Sequence, residues 1–490
     1  MPERNPFTST FLRRDADDAL RPQGRLSYVA GRTDDALKFM TVPQLLDRAC
    51  ARHGAAEAAN FPATRQTLSW YDLRRRADDV AAGLLALGIG RGDRVCIWSP
   101  NRVEWLDVQF GTARIGAILA PIDPADQVVE LEHALRQIGC KALIMARGHA
   151  ASDHVGMIRE LAPEIDRAAP ALSAARLPRL AHVVVFGDQP VPAGAMRFAD
   201  LARLAGPGHR GRLESLSVAL DPDDAIIIPL TSGTAGAPNG TTLSHFGVVN
   251  NARYCAKAMA LTARDRLCVP LPLHHCLGMV LGVLCCTTVG AAMVFPGETF
   301  DAAAMLAAIT RYGCTALHGV PAMFIAALEH PEIARHDVSS LRTGIIAGAS
   351  CPTELMRRVV SELHMREVTI AYGMTETGLI SFQSGVGDPV ERRVSTIGRI
   401  HPHVEAKIVD AGGRVAPVGT AGELCTRGYS VMCANSDDPE RAAQSIDAAG
   451  WMHSGDLAVI DAEGFCNIVG RVKDMVIHGR ENIQSAVRSG

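Results

Sequence analysis

The sequence predicts an α/β protein. A large N-terminal part forms two helix-covered β-sheets, and a small module with a β-barrel-like texture follows it. Three observations carry this reading. From about Val42 onward, strand-length apolar runs alternate with stretches of helical period, which implies parallel sheets covered by helices. After Val394 the helical period stops, and short strands follow one another between Gly and Asp turns. The chain has 490 residues, 48% of them hydrophobic and 21% charged, enough for two or three packed domains.

The elements follow in order. Leu68–Leu87 has a helical period, and Ser69 lies three residues before Asp72, the spacing of a capping box. Gly88 ends that helix, and Arg94–Trp98 is a short apolar strand. Glu104–Gly116 is then helical and Ala117–Pro121 extended. The same alternation predicts helix and strand at Leu131–Ile138 and Ala142–Met145, at Ala302–Tyr312 and Thr315–Leu317, and at Ala322–Leu328 and Thr343–Ala347. Ala168–Pro178 is an Ala/Pro-rich insertion read as a surface loop. Val404–Val409, Gly422–Thr426 and Cys466–Val469 are the short strands of the β module. The expected division is 1–394 for two α/β subdomains, 395–473 for the β subdomain, and 474–490 for a hinge and a stub.

Bulk composition narrows the function classes. A net charge of −3 gives no case for nucleic acid or an acidic membrane surface, so the expected partner is a small molecule. Thirteen Cys with no C-x-x-C, most of them in apolar runs, read as buried free thiols in a reducing compartment. Met1–Leu20 is polar and has no apolar signal core, so a cytoplasmic protein is expected. Met279–Phe295 is the one stretch that resembles a membrane span. It is short and rich in Gly and Thr, and reads better as a buried helix running into a strand.

Four segments carry chemistry. Thr231-Ser232-Gly233-Thr234-Ala235-Gly236-Ala237-Pro238-Asn239-Gly240 follows the apolar run Ala225–Leu230. A Gly/Ser/Thr loop leaving a strand turns backbone N–H groups inward and cradles phosphate oxygens. No Gly-Lys-Ser/Thr occurs in the chain, so this is not the common P-loop. The second segment, Ala371-Tyr372-Gly373-Met374-Thr375-Glu376-Thr377, follows the β-type run Val368–Ile370. It puts a hydroxyl and a carboxylate at a sheet's carboxyl edge, where α/β proteins bind ligands. Thr375 suits an α-phosphate, and Glu376 suits Mg²⁺; alone, the two residues also fit an ordinary helix cap. In the third, Trp451-Met452-His453-Ser454-Gly455-Asp456-Leu457 is followed by Gly470-Arg471. An Asp beside a Gly turn can accept from both ribose hydroxyls and an Arg can donate nearby; a turn Asp with an unrelated ion pair fits as well. The fourth is Pro270-Leu271-Pro272-Leu273-His274-His275-Cys276-Leu277-Gly278. Neighbouring residues on a strand face opposite sides, so the two His suit an acyl pocket wall better than a shared metal.

Taken together and in this order, the four segments resemble the acyl-CoA synthetase branch of the adenylate-forming superfamily, over about residues 40–483. The resemblance extends to Gly92-Asp93-Arg94-Val95, Pro100-Asn101, Gly319-Val320-Pro321, Ala347-Gly348-Ala349, Thr396-Ile397-Gly398-Arg399 and Gly479-Arg480-Glu481-Asn482-Ile483. Leu273–Gly278 is most similar to medium-chain fatty acyl-CoA synthetases. The resemblance implies ATP and Mg²⁺, with CoA as an acceptor. Thr231, Ser232, Gly233, Thr234 and Gly236 would hold the β/γ-phosphates, with Asn239 at the loop's end. Thr375 would contact the α-phosphate and Glu376 the metal. Ala349, Ser350 and Tyr372 would bracket adenine, and Asp456 and Arg471 would bind ribose. His275, Val320, Phe324, Gly348 and Gly373 would line the acyl pocket, and His275 would be catalytic along with Thr375 and Glu376. Asp474 would be the hinge.

The chain departs from the family pattern at three points. Asn239 stands where the family has a phosphate-loop Lys. Arg480 replaces the second Gly of Gly-Gly-Glu-Asn. From Gln484 onward the resemblance ends, and the expectation is that the family's C-terminal α+β domain, with its adenylating Lys, is absent. The function expected is ATP-dependent activation of a carboxylic acid, with an apolar acyl chain, to an acyl-adenylate with pyrophosphate release. Transfer to CoA or to a separate acceptor protein follows. The alternatives are an impaired nucleotide- or acyl-binding relative, and an enzyme repurposed to unusual acids or acyl transfer.

Overall fold

The computed structural model describes residues 20–22, 24–167, 171–231, 239–435, 445–472, 475–478 and 481–484. Two nine-stranded sheets form the body. In the first, strands 196–197, 182–185, 142–145, 94–98, 118–122 and 225–227 run parallel in that order, and 239–244 follows antiparallel, itself paired with 230–231 and 434–435. In the second, strands 367–372, 343–346, 316–319, 266–268, 292–294 and 57–61 are parallel. Antiparallel strands 382–383 and 66–69 flank them.

Two helices start on capping boxes that the sequence writes. The Ser69 hydroxyl accepts from the Asp72 N–H at 3.1 Å, and the Ser69 N–H donates to the Asp72 carboxylate at 3.2 Å. This closes the expected capping box at the start of Trp70–Ala86. Thr41 and Gln44 make the same box for Val42–His53. Trp70–Ala86 packs on Val103–Arg114, a helix with almost no exposed side. Burying that helix also buries its charges, and each is paired. Asp107 takes a two-pronged bond from Arg76 at 2.9 and 2.5 Å, and Arg114 bridges Asp78 and Asp47. Burial pushes the Asp107 carboxyl up to about 6 despite Arg76.

The β module is a five-stranded antiparallel sheet of 404–409, 422–428, 452–460 and 466–471, with Tyr28–Ala30 added at its edge. The sequence reading had not assigned a strand to Tyr28–Ala30. The Met279–Phe295 stretch is the buried helix running into a strand that was expected: Leu277–Leu284 is a π-helix, Cys285–Val289 continues it, and Ala292–Val294 is a central strand. Among the described residues no helix is long and apolar enough to cross a membrane. The Ala168–Pro178 insertion differs from its expectation. Ala168–Pro170 lie outside the described residues, but Leu172, Ala174 and Leu177 are buried against a core cluster with Leu143 and Val183, because an apolar loop beside a sheet gains by covering it. All thirteen cysteines are free thiols, and all but Cys351 and Cys433 are buried.

Candidate active site

Three adjacent parallel strands of the second sheet end side by side, at Gly319, Ile346 and Tyr372. A strand's carboxyl end leaves backbone and loop groups free to face a ligand. After Ile346 the chain turns through Ala347 and Gly348, and Gly348 has φ +85°, a left-handed conformation that an L side chain enters only with strain. Ala349 and Ser350 follow on the exposed side of that turn. After Tyr372, Gly373 and Met374 lead into a single 3₁₀ turn, Thr375–Thr377. The Glu376 carbonyl accepts from the Met432 N–H at 2.9 Å. Its carboxylate makes no hydrogen bond or ion pair among the described residues, and its charge helps to hold the Cys276 thiol up, although burial is the larger cause.

The β module supplies the facing groups. Asp456 and Arg471 are register partners on neighbouring strands. The Tyr372 hydroxyl donates to Asp456 Oδ2 at 2.6 Å, and Arg471 Nε lies 3.2 Å from Asp456 Oδ1. Gly455, with φ +71°, lies just before Asp456 inside the strand Met452–Ile460, where the pairing with Gly422–Gly428 shifts register. Burial, then Asp456, holds the Tyr372 hydroxyl well above the usual phenol range, so it stays a donor.

Beneath the strand ends lies a tight apolar crevice, too narrow in this structure to admit a water molecule, lined by Leu271, Leu277, Leu281, His318, Gly319, Ile345 and Ala347. Leu277 and Leu281 come from the π-helix, a geometry frequent at functional sites. His318 is buried, and its Nδ1 accepts from the Ile345 N–H at 3.2 Å. Burial pulls its pKa down to about 4, so the ring is neutral.

The predicted residues divide as follows. Tyr372, Asp456 and Arg471 are in direct contact. Gly348 sits beside Val320, since a Cβ built on Gly348 would lie 3.2 Å from Val320 Cγ1. Phe324 is fully buried in a separate core cluster with Leu317 and Ile346, and is not among the residues lining the crevice. His275 is exposed, and its Nδ1 accepts from the Leu277 N–H at 3.1 Å. His274 lies 3.6 Å from Asp123. Gly373 is pressed against the Leu379 carbonyl, 1.6 Å from where a Cβ would stand. Thr231 and Asn239 are register partners across a hairpin, and Ser232, Gly233, Thr234 and Gly236 lie outside the described residues, as do Asp474 and Arg480. The strand leaving that hairpin pairs with Ala434–Asn435, two residues beyond the Met432 that holds Glu376, so one short segment ties both neighbourhoods together. The sequence reading missed Leu271, Leu281, His318 and Gly319. An apolar helix interrupted by Gly278 and Gly282, and a His immediately before the Gly319-Val320-Pro321 turn, were the signals available.

Residues 46–433 match the family model described as AMP-binding enzyme. The chain is 41% identical over 445 residues to a protein of Bacillus subtilis named "Putative acyl-CoA synthetase YngI", covering 90% of this chain and 81% of that one. It is 37% identical over 471 residues to the mitochondrial medium-chain acyl-CoA ligase ACSF2 of Macaca fascicularis, covering 95% of this chain and 76% of that one. The anthranilate CoA ligase AuaEII, solved with anthranoyl-AMP, shares the fold with a TM-score of 0.79 at 24% identity, over 92% of this chain and 82% of that one. On the match over residues 46–433 and these identities, the chain belongs to the AMP-binding enzyme family.

Proposed function

We propose that this protein is an acyl-CoA synthetase-type ligase that activates a carboxylic acid with an apolar acyl chain to its acyl-adenylate and passes the acyl group to CoA. The observation that carries the reading is the juxtaposition at Tyr372. One face of the strand ends holds the Tyr372–Asp456–Arg471 cluster, suited to a ribose, and the apolar crevice lies behind the same ends.

In this reading the acid's carboxylate oxygen attacks the α-phosphorus of ATP. The bond to the leaving oxygen breaks, and pyrophosphate departs. Asp456 accepts from the ribose hydroxyls in place of the Tyr372 hydroxyl, and Arg471 donates to the same sugar. Ala349, Ser350 and Tyr372 bracket adenine, while Thr375 donates to an α-phosphate oxygen. Thr231 to Gly236 cradle the β- and γ-phosphates with backbone N–H groups. The crevice residues part to take the acyl chain, and Val320, Gly348, His275 and Gly373 line the same pocket. Mg²⁺ fits the Glu376 carboxylate, which has no partner among the described residues, since that ion takes one or two carboxylates plus phosphate oxygens; when bound, it would neutralise phosphate charge. A neutral Asn239 can hydrogen-bond phosphate without neutralising it. Loss of one preorganised electrostatic contact costs on the order of 10²–10³ in rate, so Asn239→Lys should raise the adenylation rate.

The test is mass spectrometry of the purified protein with Mg-ATP and a panel of carboxylic acids, with and without CoA. Acyl-AMP without CoA, and acyl-CoA with it, is the expected result, and the acid consumed names the substrate. ATP surviving intact with every acid would replace this reading with that of a nucleotide- or acyl-binding relative, which Asn239 favours.

A further inference from the structure

Among the described residues outside the proposed nucleotide cluster, one group of side chains has ligand chemistry that the proposed reaction does not use. Glu423 and Cys425 are two apart on the strand Gly422–Gly428, and Cys425 is the register partner of His453 on the neighbouring strand. Residues two apart share a face of a strand, so a carboxylate, a thiol and an imidazole come together. His453 Nδ1 lies 2.9 Å from Glu423 Oε2 and 3.5 Å from Cys425 Sγ, and all three ligand atoms fall within 4.8 Å of one another. Ligand atoms about 2.0–2.3 Å from a tetrahedral ion stand roughly 3.3–3.6 Å apart, so small side-chain rotations suffice to receive one.

We propose that Glu423, Cys425 and His453 form a binding site for a borderline-soft divalent cation of the Zn²⁺ class. Thiolate, imidazole and carboxylate together select such an ion over Mg²⁺ or Ca²⁺, which prefer all-oxygen sites. A second observation supports it. The other ring nitrogen, His453 Nε2, lies 3.8 Å from Asp447 Oδ2, and Asp447 is itself fixed by the N–H groups of Ala449 and Trp451, each at 2.9 Å. At 3.8 Å this is a charge contact and not a hydrogen bond; closed by a small rotation, it would supply the carboxylate partner that orients a metal-bound histidine. Without an ion, the buried Cys425 stays a protonated thiol, pushed up to about 12 by burial and then by Glu423, with Lys407 opposing. Binding therefore releases the thiol proton to solvent. The ion would join strands 422–428 and 452–460 beside Gly455, whose N–H already donates to Glu423 Oε1 at 3.2 Å. It would thereby stiffen the irregular part of the strand that carries Asp456.

The test uses untagged full-length protein stripped with a chelator and titrated with Co²⁺, then Zn²⁺. One equivalent of Co²⁺ should give a thiolate charge-transfer band and four-coordinate ligand-field bands, which Zn²⁺ bleaches. Cys425→Ser should abolish the charge-transfer band, and Cys433→Ser, at the exposed cysteine, should leave it. Asp447→Asn should weaken binding about 10–100-fold. Because Cys425 is buried, His453→Gln provides a second route at a partly exposed position: binding lost with an unchanged circular dichroism spectrum supports the site. No band in the parent protein, a band that survives Cys425→Ser, or full affinity in His453→Gln overturns it.

Discussion

The two nine-stranded sheets share one plan and use their carboxyl edges differently. In the first, the edge is filled. Trp98 stacks on the His154 ring with centroids 3.6 Å apart, and its indole N–H donates to the Asp123 carbonyl at 2.9 Å. In the second, the corresponding edge borders the tight apolar crevice and the Tyr372–Asp456 contact. The first sheet nevertheless reaches into the second. The Asn101 side chain, just past Trp98, donates to the Leu271 carbonyl at 2.9 Å and accepts from the Leu273 N–H at 2.7 Å. From the next helix, Gln109 donates to the Met279 carbonyl in the π-helix at 3.0 Å. One sheet braces the crevice wall that the other displays, so identical layering does not mean identical work.

The contrast can be broken at its filled edge first. Trp98→Ala should cost about 3–5 kcal/mol of stability, as a fully buried aromatic does. Denaturant titration measures it, and turnover per folded molecule should survive. Equal loss of stability and specific activity would mean that the first edge also serves the reaction. Asn101→Ala should cost about 1–3 kcal/mol, because the buried Leu271 and Leu273 backbone groups lose their partner. Unlike Trp98→Ala it should raise KM for the acid while leaving KM for ATP alone, and a change in the ATP value instead would show that the brace acts on the nucleotide side.

Acid sharpens the same comparison. Burial pulls His318 down to about 4, and it also lowers His154 at the filled edge. A depressed histidine favours the neutral ring in the folded state. Its contribution is therefore whole above the ordinary value of 6.5 and is lost as pH falls from 6.5 toward 4. The His318 ring should remove about 1.4 kcal/mol per pH unit in that window. His318→Gln should flatten the measured slope by that amount, and a slope equal to the parent's would show that His318 is not the group that titrates. The smallest effect belongs to the surface. Arg91 and Asp224 form an ion pair at 2.5 Å, with the Arg91 side chain 54% exposed. Arg91→Ala should cost under about 1 kcal/mol, and a larger loss in thermal melting would place that pair in the bracing network.

Local signals reached far in this chain. Ala142–Met145, Ala302–Tyr312 and Val404–Val409 form the predicted elements with the predicted ends, because apolar periodicity and capping act over one or two turns. The Ser69–Asp72 box is written in two residues and forms as written. The buried thiols and the helix-to-strand passage at 277–294 were likewise readable, since runs of apolar side chains must be covered wherever they lie.

What the sequence by itself determined is therefore the order and kind of elements, their caps, and the identity of the AMP-binding family segments. Only the tertiary structure decided which elements meet. Tyr28–Ala30 pairs with Val404–Val409, Tyr372 reaches Asp456, and Asn101 holds Leu271 and Leu273. It also placed Phe324 in the core and His318 against the crevice. Such contacts span from tens to hundreds of residues of chain. They are chosen by sheet order and close packing, neither of which leaves a periodic trace in the residues that take part.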